Sequence, residues 1–260
     1  MSTFLFDSII FGPVRSRRLG VSLGINLLPC DRKVCSFDCI YCECGWTPRG
    51  RSVSSPLPSR AEVREALHAR LTEMRMAGEK PDVITYAGNG EPTMHPDFPG
   101  IIDDSIALRN EFFPEAKISV LSNAAHLNRK SVRDALMRVD MNILKLDSVF
   151  NSTVTALNRP RKSYDLAKVI ENMKLFNGKF IIQTLFVRGE HEGITVDNTT
   201  PEEVDAWLEK VRELNPESVM IYTIDRDTPL GSKLRKVPLA DLKAIAARVE
   251  AAGIPVSVSG

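Results

Sequence analysis

The stretch Cys35-Ser36-Phe37-Asp38-Cys39-Ile40-Tyr41-Cys42 places three thiols at the spacing C-x3-C-x2-C. One short loop can wrap such a set around a single metal centre, and soft thiolates favour zinc or an iron–sulfur cluster. A cubane cluster has four irons, so three cysteines leave one iron without a protein ligand. That is the arrangement of a reactive centre, as an open position is on a catalytic zinc. The alternative is a closed structural zinc knot, with Cys30 or Cys44 as fourth ligand. Such knots usually pair two C-x2-C knuckles, and here only Cys39 and Cys42 form one. All five cysteines fall between residues 30 and 44. An odd, crowded set reads as a metal or redox site rather than a disulfide framework.

The chain on either side alternates β-prone runs with amphipathic helices. Val21 to Leu28 precedes the cysteines, and a loop from Thr47 to Pro58 follows them. Ser59 with Glu62 forms a capping box for a helix carrying Val63, Leu67, Leu71 and Met74. Further strands are predicted at Asp82 to Tyr86, Lys117 to Ser122, Asn142 to Asp147, Phe180 to Val187 and Ser218 to Ile224. Between them lie helical stripes, one opened by Thr200-Pro201-Glu202-Glu203 with its N-cap threonine and proline at N1. Pro255 to Ser259 is a candidate final strand. Six successive βα units with apolar strands predict a parallel sheet covered by helices. A doubly wound sheet and a partial barrel both satisfy this periodicity. In either, ligands gather at the C-terminal ends of the strands.

A second motif sits at such an end. Gly88-Asn89-Gly90-Glu91-Pro92-Thr93 follows the second strand. Its glycines permit close backbone approach, and Glu91 adds an acceptor suited to an ammonium group.

The cysteine spacing, with the aromatic Tyr41 just before the third cysteine, resembles the signature of the radical S-adenosylmethionine (SAM) enzymes. The glycine-rich turn resembles that family's Gly-Gly-Glu-Pro motif, departing from it at Asn89. The resemblance spans about residues 21 to 224 and implies a partial (β/α)6 TIM-like barrel, one core domain across residues 1–260. It implies a [4Fe–4S] cluster on Cys35, Cys39 and Cys42, with SAM chelating the open iron. One electron then cleaves SAM to a 5′-deoxyadenosyl radical that abstracts hydrogen from a substrate. It also implies SAM contacts at Tyr41, Gly88, Asn89, Gly90, Glu91, Pro92, Ser122, Asn123, Asp147 and Gln183. An external electron donor of the flavodoxin or ferredoxin type is implied as well. Lys145, two residues before Asp147 on one strand face, is weighed equally as a structural partner of that aspartate. No residue is assigned a catalytic role beyond these.

Gly12-Pro-Val-Arg-Ser-Arg-Arg-Leu-Gly20 and Asn158-Arg-Pro-Arg161 are similar to stand-alone Fe–S oxidoreductases related to the wyosine-synthase catalytic domain. Unlike wyosine synthases, this chain has no cysteine before Cys30. One six-unit barrel fills its 260 residues, leaving little room for a second-cluster or flavodoxin domain.

Lys plus Arg number 34 against 33 Asp plus Glu, a net charge of +1, which argues against a globally basic nucleic-acid binder. Arg159, Arg161, Arg188 and Arg226 nevertheless follow predicted strands, and Arg15, Arg17, Arg18, Arg49 and Arg51 are candidates to extend the patch. This rim predicts an anionic substrate, an RNA or a small molecule. His95 lies near the Glu91 motif, within reach of a substrate, but no histidine has ligand spacing to another, and each is read as structural. Cys30 and Cys44 are read as incidental thiols. The absence of an 18-residue apolar run and of a signal peptide predicts a cytoplasmic protein with no membrane partner. Two other functions remain in view: an activating enzyme of the glycyl-radical type acting on a protein, and a zinc-containing RNA-binding module.

Overall fold

The computed structural model describes residues 4–16, 19–48, 55–161 and 164–260. Arg17, Arg18, Arg49 and Arg51 of the expected patch lie outside the described residues.

The chain opens with β1 (Ile10–Ser16) and β2 (Gly20–Ile25), then α1 (Arg60–Met76), β3 (Val83–Tyr86), α2 (Phe98–Phe112), β4 (Lys117–Ser122) and α3 (Lys130–Leu136). There follow β5 (Met141–Lys145), α4 (Asn151–Asn158), α5 (Leu166–Lys174), β6 (Ile181–Leu185), β7 (Val187–His191) and β8 (Ile194–Asp197). The last elements are α6 (Pro201–Leu214), β9 (Ser218–Tyr222), β10 (Leu234–Lys236), α7 (Leu239–Glu250) and β11 (Val256–Ser259).

The main sheet has the order β1-β2-β3-β4-β5-β6-β9-β11. Every pairing from β2 to β11 is parallel, and only β1 runs antiparallel, on the edge of β2. The sheet curls into a half-barrel, the partial TIM-like architecture expected from the sequence. The six expected strands are present, and β11 adds a seventh parallel one.

The helices form where their apolar stripes demand it. Ser59 and Glu62 close the expected capping box, Glu62 Oε2 accepting from Ser59 N at 2.7 Å. Val63, Leu67, Leu71 and Met74 are buried against the sheet. Thr200 caps α6, whose Val204, Trp207, Leu208 and Val211 are likewise buried.

Three features differ from expectation. The antiparallel edge strand β1 was not predicted. Helix α4 was not predicted either; it is a short helix ended by Arg159 in the left-handed conformation (φ 46°) before Pro160. The predicted strand Phe180 to Val187 stops at Leu185, because Asn198 intervenes. Its Nδ2 donates to the carbonyls of Leu185 (2.8 Å) and Asp147 (2.9 Å), and its Oδ1 accepts from Val187 N (2.9 Å). The chain then enters a small sheet of order β10-β7-β8. Glu192 and Gly193, both at positive φ, make the hairpin turn between β7 and β8.

Candidate functional site

The long segment after β2 lies across the C-terminal ends of the strands, pinned on both sides. On one side Val34 N donates to Asn89 O at 2.8 Å and Glu91 N donates to Val34 O at 3.2 Å. This contact explains the glycine at position 90. Its φ is +142°, and a Cβ there would fall 1.8 Å from the Val34 carbonyl oxygen. On the other side Ile40 N donates to Leu157 O (3.0 Å), Asp38 N to Asn158 O (3.1 Å) and Arg161 N to Ser36 O (2.9 Å). The end of α4 thus holds the far edge of the cysteine loop.

Between these anchors is a cavity of about 170 Å³. Cys35, Cys39 and Cys42 line it, with Tyr41, Gly88 and Gly90. Glu91, Ser122, Asn123 and Gln183 complete the expected set on its walls. Three expected contacts do not face it. Asn89 is fully buried and clasps the N-terminal segment, donating Nδ2 to Phe6 O (2.8 Å) and Pro29 O (2.9 Å) and accepting from Phe6 N (2.9 Å). Pro92 is buried as the first residue of a 3₁₀ turn, Pro92–Met94. Asp147 has no exposed side-chain surface. It accepts from Tyr41 Oη, from Asn158 Nδ2 (2.7 Å) and from Leu185 N (2.9 Å), so its place is beneath the wall.

Lys145, by contrast, does line the cavity. Its Nζ donates to Tyr41 Oη at 2.7 Å and lies 3.4 Å from Asp147 Oδ2. Burial works against its charge, and Asp147 more than compensates, so its pKa is raised. Tyr41 is raised well above the usual phenol value by burial and by the same aspartate.

The sulfurs have polar neighbours. Asn123 Nδ2 approaches Cys35 Sγ at 3.6 Å and Asn158 Nδ2 approaches Cys39 Sγ at 3.5 Å. Phe37 N donates to Cys35 Sγ at 3.4 Å. Burial pushes the Cys35 thiol up to about 12 and raises Cys39. Cys42 falls to about 5, because the Cys44 thiol donates to it and the Lys33 ammonium lies beside it. Cys44 is raised correspondingly and also contacts Gly88 O at 3.4 Å. It therefore lies beside Cys42, outside the cavity lining. Cys30 stays at the margin, with Asn26 Nδ2 at 3.9 Å.

Glu91 is 2% exposed. Its Oε1 accepts from Thr93 N (3.2 Å), Thr93 Oγ1 (2.5 Å) and Ser122 Oγ (2.8 Å), and its Oε2 from Asn123 N (2.6 Å). Burial raises its pKa in spite of these bonds. The bonds fix its direction and leave acceptor capacity at Oε2 toward the cavity.

The donor set suits a multi-iron cluster. Three thiols line one wall, N–H groups are aimed at two of the sulfurs, and a buried ammonium stands beside them. Among the described residues no three His, Cys, Asp or Glu side chains converge closely enough to hold a single ion. Three soft thiols with N–H donors beside them suit a cluster that takes one thiolate per iron. Sequence reasoning missed Lys33 and the role of Asn158. Nothing in a lysine two positions before a cysteine, or in an asparagine 119 positions after Cys39, announces the contact.

The rim arginines divide. Arg188 pairs with Asp241 (2.9 Å) and Asp197 (3.6 Å), and Arg226 pairs with Glu43 (2.8 Å). Arg15 is on β1 opposite Val21, near the start of β2 and so at the other end of the sheet. Arg159 and Arg161 have no carboxylate partner among the described residues. Both line an open groove of about 1200 Å³ on the outer side of the cysteine loop, with Ser152, Thr155 and His191. The Arg159 guanidinium lies 4.8 Å above the Trp46 ring, and its Nη1 is 2.9 Å from His191 Nε2. His95 does not reach a substrate. It is 2% exposed, its Nε2 is 2.8 Å from Pro58 O and its Nδ1 accepts from Asp97 N (3.1 Å).

Residues 33–193 match the sequence profile described as the Radical SAM superfamily. A UPF0026 protein of Methanocaldococcus jannaschii is 31% identical over 235 residues, covering 89% of this chain and 67% of that protein. Among solved structures, a radical SAM methyltransferase from Sphaerobacter thermophilus superposes with a TM-score of 0.66 at 15% identity, covering 92% of this chain and 65% of that one. An archaeal TYW1 superposes with a TM-score of 0.54 at 13% identity, over 88% of this chain and 71% of that one. The chain thus spans about two thirds of the length of the first two of these.

Proposed function

The chain belongs to the radical SAM superfamily, and from that premise we propose that Cys35, Cys39 and Cys42 hold its [4Fe–4S] cluster, with SAM bound beside them. Enzymes of this superfamily use that cluster and SAM. When bound, the pair supplies reductive cleavage of SAM, giving a 5′-deoxyadenosyl radical able to abstract hydrogen.

The observation that carries the reading is the convergence of three cysteines and Glu91 on one cavity, at the end of the Gly88–Gly90 segment. Glu91 Oε2 offers an acceptor for the SAM ammonium. Ser122, Asn123 and Gln183 supply polar groups for the rest of the molecule. Tyr41, Lys145 and Asp147 form a bonded floor that fixes the wall and keeps water out. The barrel acts as one core domain. Electrons come from an external donor of the flavodoxin or ferredoxin type. No helix of the described residues is long and apolar enough to cross a membrane, and free cysteines suit a reducing cytoplasm.

Anaerobic reconstitution tests this reading. About four irons and four sulfides per chain are expected, with none in the triple Cys35→Ala, Cys39→Ala, Cys42→Ala variant. Reductant plus SAM should release 5′-deoxyadenosine. A protein that loads only zinc and leaves SAM intact would refute it.

Arg159 and Arg161 favour an anionic substrate, since no carboxylate of the described residues pairs with them in the groove on the cysteine loop, which Asp38 and Glu192 also line. Replacing both by serine should leave uncoupled 5′-deoxyadenosine release intact while abolishing turnover of the anionic substrate. Equal turnover by the double variant would remove this assignment.

A further inference from the structure

Lys33 is a buried cation whose neighbouring anions are the cysteine sulfurs, with no carboxylate among the described residues at hydrogen-bond distance. Its side chain is 1% exposed. The Nζ donates to Gly45 O at 2.8 Å, and the Cys42 sulfur lies beside it. The nearest carboxylate oxygen, Asp38 Oδ1, is 3.9 Å away and already accepts from Thr47 N at 2.8 Å. Among the described residues no second carboxylate reaches it. Removing an ammonium from water is costly unless an anion repays it. Lys145, also on the cavity wall, has its own aspartate and phenol; Lys33 has the three cysteines.

We propose that Lys33 is the built-in counter-charge of the cluster, a fixed ammonium that stabilises the bound cluster and, more strongly, its reduced state. This rests on the reading that Cys35, Cys39 and Cys42 hold the cluster. A cluster of four irons and four sulfides on three thiolates is net negative in its oxidised form. It becomes one unit more negative on accepting an electron. A fixed positive charge in a low-dielectric interior therefore interacts more strongly with the reduced form and raises the reduction potential. The lysine comes from the same loop, two residues before Cys35, and the Gly45 carbonyl beyond Cys42 holds its ammonium inward. The folded loop thus carries a counter-charge for what its cysteines hold. Lys33 is a positioning and tuning residue, not a catalytic one.

The test compares wild type, Lys33→Met and Lys33→Arg as reconstituted full-length protein. Three quantities are read: the cluster midpoint potential by EPR-monitored titration, iron retained against a chelator, and the melting temperature of the apoprotein. Lys33→Met should move the midpoint to lower potential and weaken iron retention by about ten-fold or more. Its apoprotein should melt within a few degrees of wild type, since the lost bond to Gly45 is offset by no longer burying a charge. Lys33→Arg, keeping the charge, should hold the midpoint near that of wild type. An unchanged midpoint in Lys33→Met would overturn the proposal, and so would equal shifts in the two variants. An apoprotein of Lys33→Met that unfolds or melts far below wild type would show instead a structural strut to Gly45. The underlying reading fails separately, if wild-type protein takes up no cluster.

Discussion

The side-chain amide of Asn158 lies 3.5 Å from Cys39 Sγ, and the same Nδ2 lies 2.7 Å from Asp147 Oδ2. One donor at the end of α4 therefore serves both the Cys39 sulfur and the buried carboxylate beneath the cavity. Hydrogen bonds to cluster sulfurs raise the reduction potential. Asn158→Ala is expected to lower the midpoint. It should also destabilise the fold by about 1–3 kcal/mol, because the Asp147 carboxylate loses a buried donor. Redox titration and denaturant melts check the two effects independently.

Gly90→Ala tests the inner anchor of the loop. The substitution sets a methyl group against the Val34 carbonyl and a side chain at φ +142°. We expect a loss of at least about 2 kcal/mol and poor iron incorporation. Ala at Gly78, also at positive φ but with nothing within 4 Å of its Cβ, should cost less and leave iron content normal. Equal iron content in both variants would contradict the anchoring role.

Asn198→Ala removes the amide that separates β6 from β7. Two carbonyls and one N–H lose their partner in the interior. The expected cost is about 3 kcal/mol, with faster hydrogen exchange in Val187–Asp197 than in the main sheet. Uniform exchange across both sheets would count against this local role.

The Arg60–Asp104 pair ties the first turn of α1 to α2 through two hydrogen bonds of 2.7 and 2.9 Å. These bonds to Arg60 hold the Asp104 carboxyl below its ordinary value of 3.8. Because the folded value is the lower one, the pair's contribution is present above that ordinary value. It is lost as pH falls through the folded value. Asp104→Asn should lower the melting temperature slightly at neutral pH, the pair being solvent-screened. The gap should close on acidification. A gap that is constant down to strongly acid pH would disprove the assignment.

Much of this was legible in the sequence because the signals are local. A capping box at Ser59, a stripe from Val63 to Met74 and three cysteines within eight positions each carry their own physics. What was not legible depends on residues that meet only after folding. The break after Leu185 is made by Asn198, and the clasp that turns Asn89 away from the cavity is made by Phe6 and Pro29. Arg188 and Arg226 looked the same as Arg159 in sequence, and only their distant carboxylate partners distinguish them. Lys33 reads as an ordinary charged surface residue until the loop folds over it.

The two anchors of the cysteine loop join residue 34 to residue 90 and residues 36 to 40 to residues 157 to 161. Contacts so distant in sequence have a high loop-closure cost, met only once β3, β5 and α4 are in place. The thiols are thus assembled by the barrel and not by their own segment, unlike a zinc knuckle that preforms from a few neighbouring residues. A synthetic peptide of residues 30–48 would carry every thiol of the chain and neither anchor. The three thiols therefore stand together only in a chain whose barrel has already folded.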